Sequence, residues 1–296
     1  MAGSIRKASE KLGTAPSSLS RKILVLERQF GTALFDRTSN GLVLTHAGRL
    51  VADYAKAAVL DFECLRADLD DLRGLRRRLI HVVAVESFAV DHPVAAVERF
   101  RRKYEGVSFK FTVVPAPQVP PIVSSGECDI GVAFCAAPDP AISVLERVSE
   151  PIVVAVPLDH PLSGQRCASL HELARYPIAL PESTFLMREM FDQACNAADV
   201  QIVPTLTANS FGSLKGFVSS GAGIAVLPKG AALHEERHRE FVTLPIDVES
   251  LSRTTIDIIV RRRRLPRVVR LFAEELHQTL SARIADDMMQ PTMPAH

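Results

Sequence analysis

The apolar positions of this chain change their period twice. Between Ser4 and Leu12, Ile5, Ala8 and Leu12 share one helical face, and Gly13-Thr14 breaks the run. Pro16 suits the first turn of a second helix, where its missing N–H is not needed. That helix reaches about Phe30, with Leu19, Ile23, Leu26 and Phe30 on one face and Ser17, Arg21 and Arg28 opposite. Gly31 suits its C-cap. A short helix, a tight turn and a longer helix with a polar outer face predict a helix-turn-helix. In residues 34–45 the Asn40-Gly41 pair is a hairpin signal between short apolar pieces, which predicts a small β-wing.

Thr45 can cap a long helix from about His46 to Arg77. Val51, Ala58, Leu65, Leu72 and Leu79 recur at heptad spacing, with Tyr54 and Leu75 between them and Asp61 and Asp68 interrupting the second seam position. The pattern predicts an imperfect coiled coil, hence a dimer helix. From Ile80 the period becomes that of short strands alternating with helices. Strands are predicted at 80–85, 107–114, 129–134, 152–156, 178–180, 202–207, 224–227 and 254–260. Helices are predicted at 93–104, 119–125, 170–174, 185–197, 213–219 and 266–281, with a frayed tail from about Asp286. Such alternation predicts parallel sheets covered by helices.

Charge sharpens this picture. The 296 residues carry a net charge of only +1, but residues 1–50 hold eight basic and three acidic side chains. A basic head on a near-neutral body fits one polyanion-binding end. The five cysteines (Cys64, Cys128, Cys135, Cys167, Cys195) are scattered, with no C-x-x-C pair, which argues against a disulfide framework, a zinc site or a redox pair. The nine histidines show no metal-ligand spacing. Arg261–Arg264 follows a predicted strand and reads as a solvated strand end. No Ser-His-Asp order, P-loop or G-x-G-x-x-G is present, so neither catalysis nor a cofactor is expected. No signal peptide or membrane span is legible, and the cytoplasm is the expected compartment.

Taken in order, several short motifs resemble the LysR-type transcriptional regulators. They include Ala15-Pro16-Ser17-Ser18-Leu19-Ser20-Arg21, Gly31-Thr32-Ala33-Leu34-Phe35-Asp36-Arg37 and Leu44-Thr45-His46-Ala47-Gly48 in the head. In the body they are Gly126-Glu127-Cys128-Asp129-Ile130-Gly131, Asp159-His160-Pro161-Leu162 and Gly221-Ala222-Gly223-Ile224-Ala225-Val226-Leu227-Pro228. The resemblance implies a multidomain chain. An all-α winged helix-turn-helix head spans 1–45, a linker or dimerisation helix 46–78, an α/β periplasmic-binding-protein-like effector domain 79–285 and a tail 286–296. Lobe 1 would take 80–152 and 254–282, and lobe 2 would take 153–253. The family's head opens with a complete helix, whereas only Met1-Ala2-Gly3 precede Ser4 here, so an N-terminally shortened head is expected. That departure motivates a second reading, a solute-binding or decoy subunit that oligomerises without binding DNA.

The resemblance implies promoter DNA, a small-molecule effector, further copies of the chain (dimer or tetramer) and RNA polymerase as partners, with no membrane. Ser17, Ser18, Ser20 and Arg21 sit where a recognition helix reads base edges, and Arg21 can either hold a guanine by two hydrogen bonds or grip a phosphate. Lys22 and Arg28 fit phosphates, and Arg37, Thr38, Ser39 and Asn40 form the wing. In the body, hydroxyl residues stand where predicted strands meet helices: Ser87, Ser183 with Thr184, and Ser210. Helix N-termini at strand ends favour an anion, so a carboxylate-bearing effector is expected there. Phe88, Phe134 and Phe211 would supply an apolar wall, with Phe185 beside them. Glu86 and Glu182, facing inward, would oppose a second anion.

Overall fold

The computed structural model describes residues 4–38, 41–72, 78–89, 92–263 and 265–289. Two compact units divide near residue 67. In the first, α1 (Ile5–Leu12) and α2 (Pro16–Phe30) form the helical pair. The Ser4 hydroxyl accepts from Lys7 N at 3.2 Å and so caps α1. Gly31 ends α2 in the left-handed region at φ 66°. The wing is an antiparallel hairpin of β1 (Phe35–Thr38) and β2 (Gly41–Leu44), in register Phe35 to Leu44. Its turn, with Ser39 and Asn40, lies outside the described residues.

Two contacts lock the pieces together. Glu27 Oε1 accepts from Leu34 N at 2.8 Å and from Phe35 N at 3.2 Å, fixing α2 to the wing. The Thr45 hydroxyl donates to Ala33 O at 2.8 Å and accepts from Gly48 N at 2.9 Å, capping α3 (His46–Leu72). A Cβ on Gly48 would stand 1.9 Å from Leu34 O, so the close approach of α3 to this loop requires glycine. No residue of α2 is buried. Its expected inner face is half-buried at Leu19 and Ile23 and exposed at Leu26 and Phe30.

The second unit begins with β3 (Arg78–Ala84), α4 (Glu86–Ala89), α5 (His92–Lys103) and β4 (Val107–Val113). Next come α6 (Val119–Ser125), β5 (Ile130–Phe134), β6 (Ile142–Ser149) and β7 (Ile152–Pro157). Then follow α7 (Leu170–Leu173), β8 (Ile178–Pro181), α8 (Leu186–Ala197), β9 (Leu206–Ala208) and α9 (Phe211–Ser219). The unit closes with β10 (Ile224–Pro228), α10 (Lys229–Arg237), β11 (Phe241–Pro245), α11 (Glu249–Ser252), β12 (Thr255–Arg261) and α12 (Arg267–Met289).

These strands build two five-stranded sheets, ordered β4-β3-β5-β12-β6 and β11-β7-β10-β8-β9. Both sheets are mixed, which corrects the parallel expectation. β12 runs antiparallel to β5 and β6, and β7 antiparallel to β10 and β11. The central strands β5, β7 and β10 are buried along nearly their whole length, as sheets covered on both faces demand. The chain passes between the sheets twice, near residues 150 and 254, and these passages bond to each other. Glu150 N donates to Thr254 O at 2.9 Å, and the Thr254 hydroxyl donates to Glu150 O at 2.5 Å.

Other expectations shift locally. Leu79 lies in β3 and is exposed, so it cannot extend the α3 seam. The strand expected at 202–207 shortens to β9, because Pro204 has no N–H for a ladder. α12 runs to Met289, past the expected end at Ser281.

Candidate functional site

In the head, α2 presents its polar face to solvent. Ser17, Arg21, Lys22 and Arg28 are exposed, and Ser18 and Ser20 are half-buried. None of these three basic side chains pairs with an acid among the described residues, whereas Arg6 meets Glu10 at 3.4 Å. Thr38 is exposed at the end of β1, and its hydroxyl donates to Gly41 O at 3.1 Å. Arg37 lies in β1 by its backbone. An exposed helix face with unpaired cations can grip phosphates through its basic groups and base edges through its hydroxyls.

In the body, a cavity of about 280 Å³ lies at the carboxyl ends of parallel strands from both sheets. Val85, Glu86 and Ser87 follow β3, Val113 to Ala116 follow β4, and Phe134 ends β5. Across from them stand Glu182 after β8, Asn209 after β9 and Pro228 at the end of β10, with Thr184, Phe185, Leu186, Met187 and Phe211. Open α/β sheets bind ligands at this place because the loops there splay apart and helices start there. Phe185 and Phe211 meet edge to face, with ring centroids 5.5 Å apart.

The candidate effector residues therefore divide. Ser87, Phe134, Thr184 and Phe211 line the cavity. Phe88 does not. It is 1% exposed and packs into the core of the first sheet, because α4 turns it inward. Ser183 is exposed outside the lining, and α8 starts only at Leu186, with Phe185 at its N-cap and no side-chain cap. Ser210 does cap α9, accepting from Gly212 N at 3.2 Å. Its hydroxyl is already committed, donating to Glu86 Oε1 at 3.1 Å. Phe211 N donates to the same oxygen at 3.1 Å. The carboxylate of Glu86, from the first sheet's side, thus holds the helix end on which a ligand carboxylate was expected.

The sequence reading missed the Pro-rich turn after β4 and the first turn of α8. Hydroxyl-bearing turns drew attention to three strand ends, while Val113 to Ala116 carry no polar signal. The buried thiols sit apart from the cavity. Burial, reinforced by Asp129, pushes Cys128 up to about 12, and burial with Asp192 pushes Cys195 up to about 11. Neither is a thiolate at neutral pH.

Comparison with known proteins agrees with this architecture. The family model described as LysR substrate binding domain matches residues 73–281. The model of bacterial regulatory helix-turn-helix proteins, lysR family, matches residues 1–49. A probable nitrogen assimilation transcriptional activator of Synechococcus elongatus is 22% identical over 288 residues, covering 96% of this chain and 93% of that one. Full-length OxyR C199D from Pseudomonas aeruginosa superposes with a TM-score of 0.65 at 18% identity, over 93% of this chain and 89% of that one. The effector binding domain of QuiR in complex with shikimate gives a TM-score of 0.57 at 17% identity, over 70% of this chain and 98% of that one. With a helix-turn-helix head and a two-lobed α/β body both matched in order, the chain belongs to the LysR family of transcriptional regulators.

Proposed function

We propose that this protein reads a promoter with α2 and its wing, and senses a small molecule in the cavity between its two sheets. The proposed division is a DNA-binding head at 1–45, a linker helix at 46–78 and an effector domain at 79–285. Ser17, Ser18, Ser20 and Arg21 face base edges in this reading, and Lys22 and Arg28 hold phosphates. Along α3, Tyr54, Phe62, Leu65 and Leu69 are exposed in the single chain, which supports self-association through that helix. The protein would act in the cytoplasm, without catalysis, and would pass its state to RNA polymerase. Among the described residues, no helix is long and apolar enough to cross a membrane.

The observation that carries the sensing role is the convergence of six parallel strand ends on one mostly apolar cavity. An effector that fits one spacing of the lobes better than another shifts the protein toward it. QuiR supports the general mode, since its effector domain holds shikimate. A carboxylate effector would reach the start of α9 only by displacing Glu86.

The test is fluorescence-anisotropy binding of the purified chain to DNA from its own upstream region, at two salt concentrations, against an unrelated duplex. Preference for the upstream DNA that weakens steeply with salt is expected. Equal affinity for both duplexes would defeat the DNA-reading proposal, and no binding to either would favour a subunit that binds ligand and partner chains alone.

A further inference from the structure

The cavity's charge is one-sided. Glu86 and Glu182 line it, and no Lys, Arg or His does among the described residues. Glu86 spends one oxygen on Ser210 and Phe211, and its Oε2 meets no protein donor among the described residues. The Glu182 carboxylate makes no hydrogen bond or ion pair among the described residues. Arg188, one turn into α8, does not line the cavity. It is drawn away onto Asp192 at 2.8 Å and the Pro181 carbonyl at 2.9 Å. Ser87 gives a second, independent sign. It is 4% exposed and lines the cavity, yet its hydroxyl has no protein partner among the described residues. Set in the cavity wall with no bond to protein, that hydroxyl is free to bond to a molecule in the cavity.

The remaining walls are aromatic and aliphatic, with Phe134, Phe185 and Phe211 presenting rings. Carboxylates and aromatic faces together are the chemistry that holds an ammonium group, by charge-assisted hydrogen bonds and by attraction to the ring quadrupole. A carboxylate ligand would meet two like charges and find the start of α9 filled. We infer that the effector is a small cation, an amine with an apolar body, whose ammonium sits between Glu86 and Glu182 while the Ser87 hydroxyl accepts a hydrogen bond from it. This rests on reading the cleft as the effector site.

The test is calorimetric titration of the full-length protein at neutral pH with three probes of one shape: benzylamine, benzyl alcohol and benzoate. Benzylamine is expected to bind about tenfold more tightly than either other probe. The double variant Glu86→Gln, Glu182→Gln should erase that preference while melting like the wild type. Ala116→Phe, which fills the cavity, should abolish binding of all three. If benzoate or benzyl alcohol binds as well as benzylamine and Ala116→Phe still blocks it, the cleft stands as the ligand site and the cationic assignment falls. If no probe binds, or if Ala116→Phe changes nothing, the cleft reading falls and takes this inference with it.

Discussion

Single side chains set much of the behaviour expected of this molecule. Replacing Arg21 with Ala should cost about 1–3 kcal/mol of promoter affinity and relax the sequence preference, if it holds a base edge bidentately. Replacing Arg28 should weaken all duplexes alike and lower the salt slope by about one. Anisotropy titrations with promoter and scrambled duplexes separate the two outcomes. Glu150 makes a different prediction. Its carboxyl accepts from Gly230 N at 2.8 Å, and burial pushes its pKa from 4.5 up to about 7, against the pull of Lys229. The folded protein therefore keeps a proton that the unfolded chain gives up. The contribution of Glu150 to stability is fullest below pH 4.5, is lost as the pH rises to about 7, and is level above that. That fall amounts to about 3 kcal/mol. Glu150→Gln keeps the acceptor for Gly230 and removes the charge. Thermal melts should show the variant gaining on the wild type as the pH rises through this window, and an unchanged difference would refute the assignment.

At the scale of elements, a shielded ion pair ties α9 to α10. Lys215 Nζ meets Glu235 Oε1 at 2.5 Å with both side chains largely shielded. Lys215→Met strands the Glu235 carboxylate, and denaturant unfolding should show a loss of about 3–5 kcal/mol. Adding Glu235→Leu should restore most of it, since neither charge is then left alone. The sequence made α1, α2, α6 and the wing legible, because Gly, Pro and Asn-Gly punctuation fixes local backbone conformation. It did not disclose β6, β11 or α10. β6 is a partly exposed edge strand whose Glu146 and Arg147 blur the apolar pattern, and such a strand is defined by its partner β12, more than a hundred residues on. The mixed sheets were hidden for the same reason, since strand direction is a property of tertiary pairing. In the site, hydroxyl turns pointed to Ser87, Thr184 and the neighbourhood of Phe211. The role of Glu86 depends on two loops meeting across the cleft, and no local pattern encodes that meeting.

At the scale of the whole molecule, two sheets face one cavity and share two passages of chain, so a molecule that fills the cavity would touch both lobes at once. Strand order has a further consequence, for the time course of synthesis. The second sheet takes all its strands from residues 152–245, one uninterrupted stretch. The first sheet cannot close until β12 arrives, because β12 lies between β5 and β6 and bonds to both. A nascent chain therefore completes its second lobe while the first still waits with open edges on β5 and β6. A chain halted after Arg253 should show a protease-resistant second lobe and aggregate through those edges. Release of residues 255–261 from the ribosome is then the event that seals the first sheet. A slow stretch of translation just before them would lengthen the interval in which two growing chains can exchange strands.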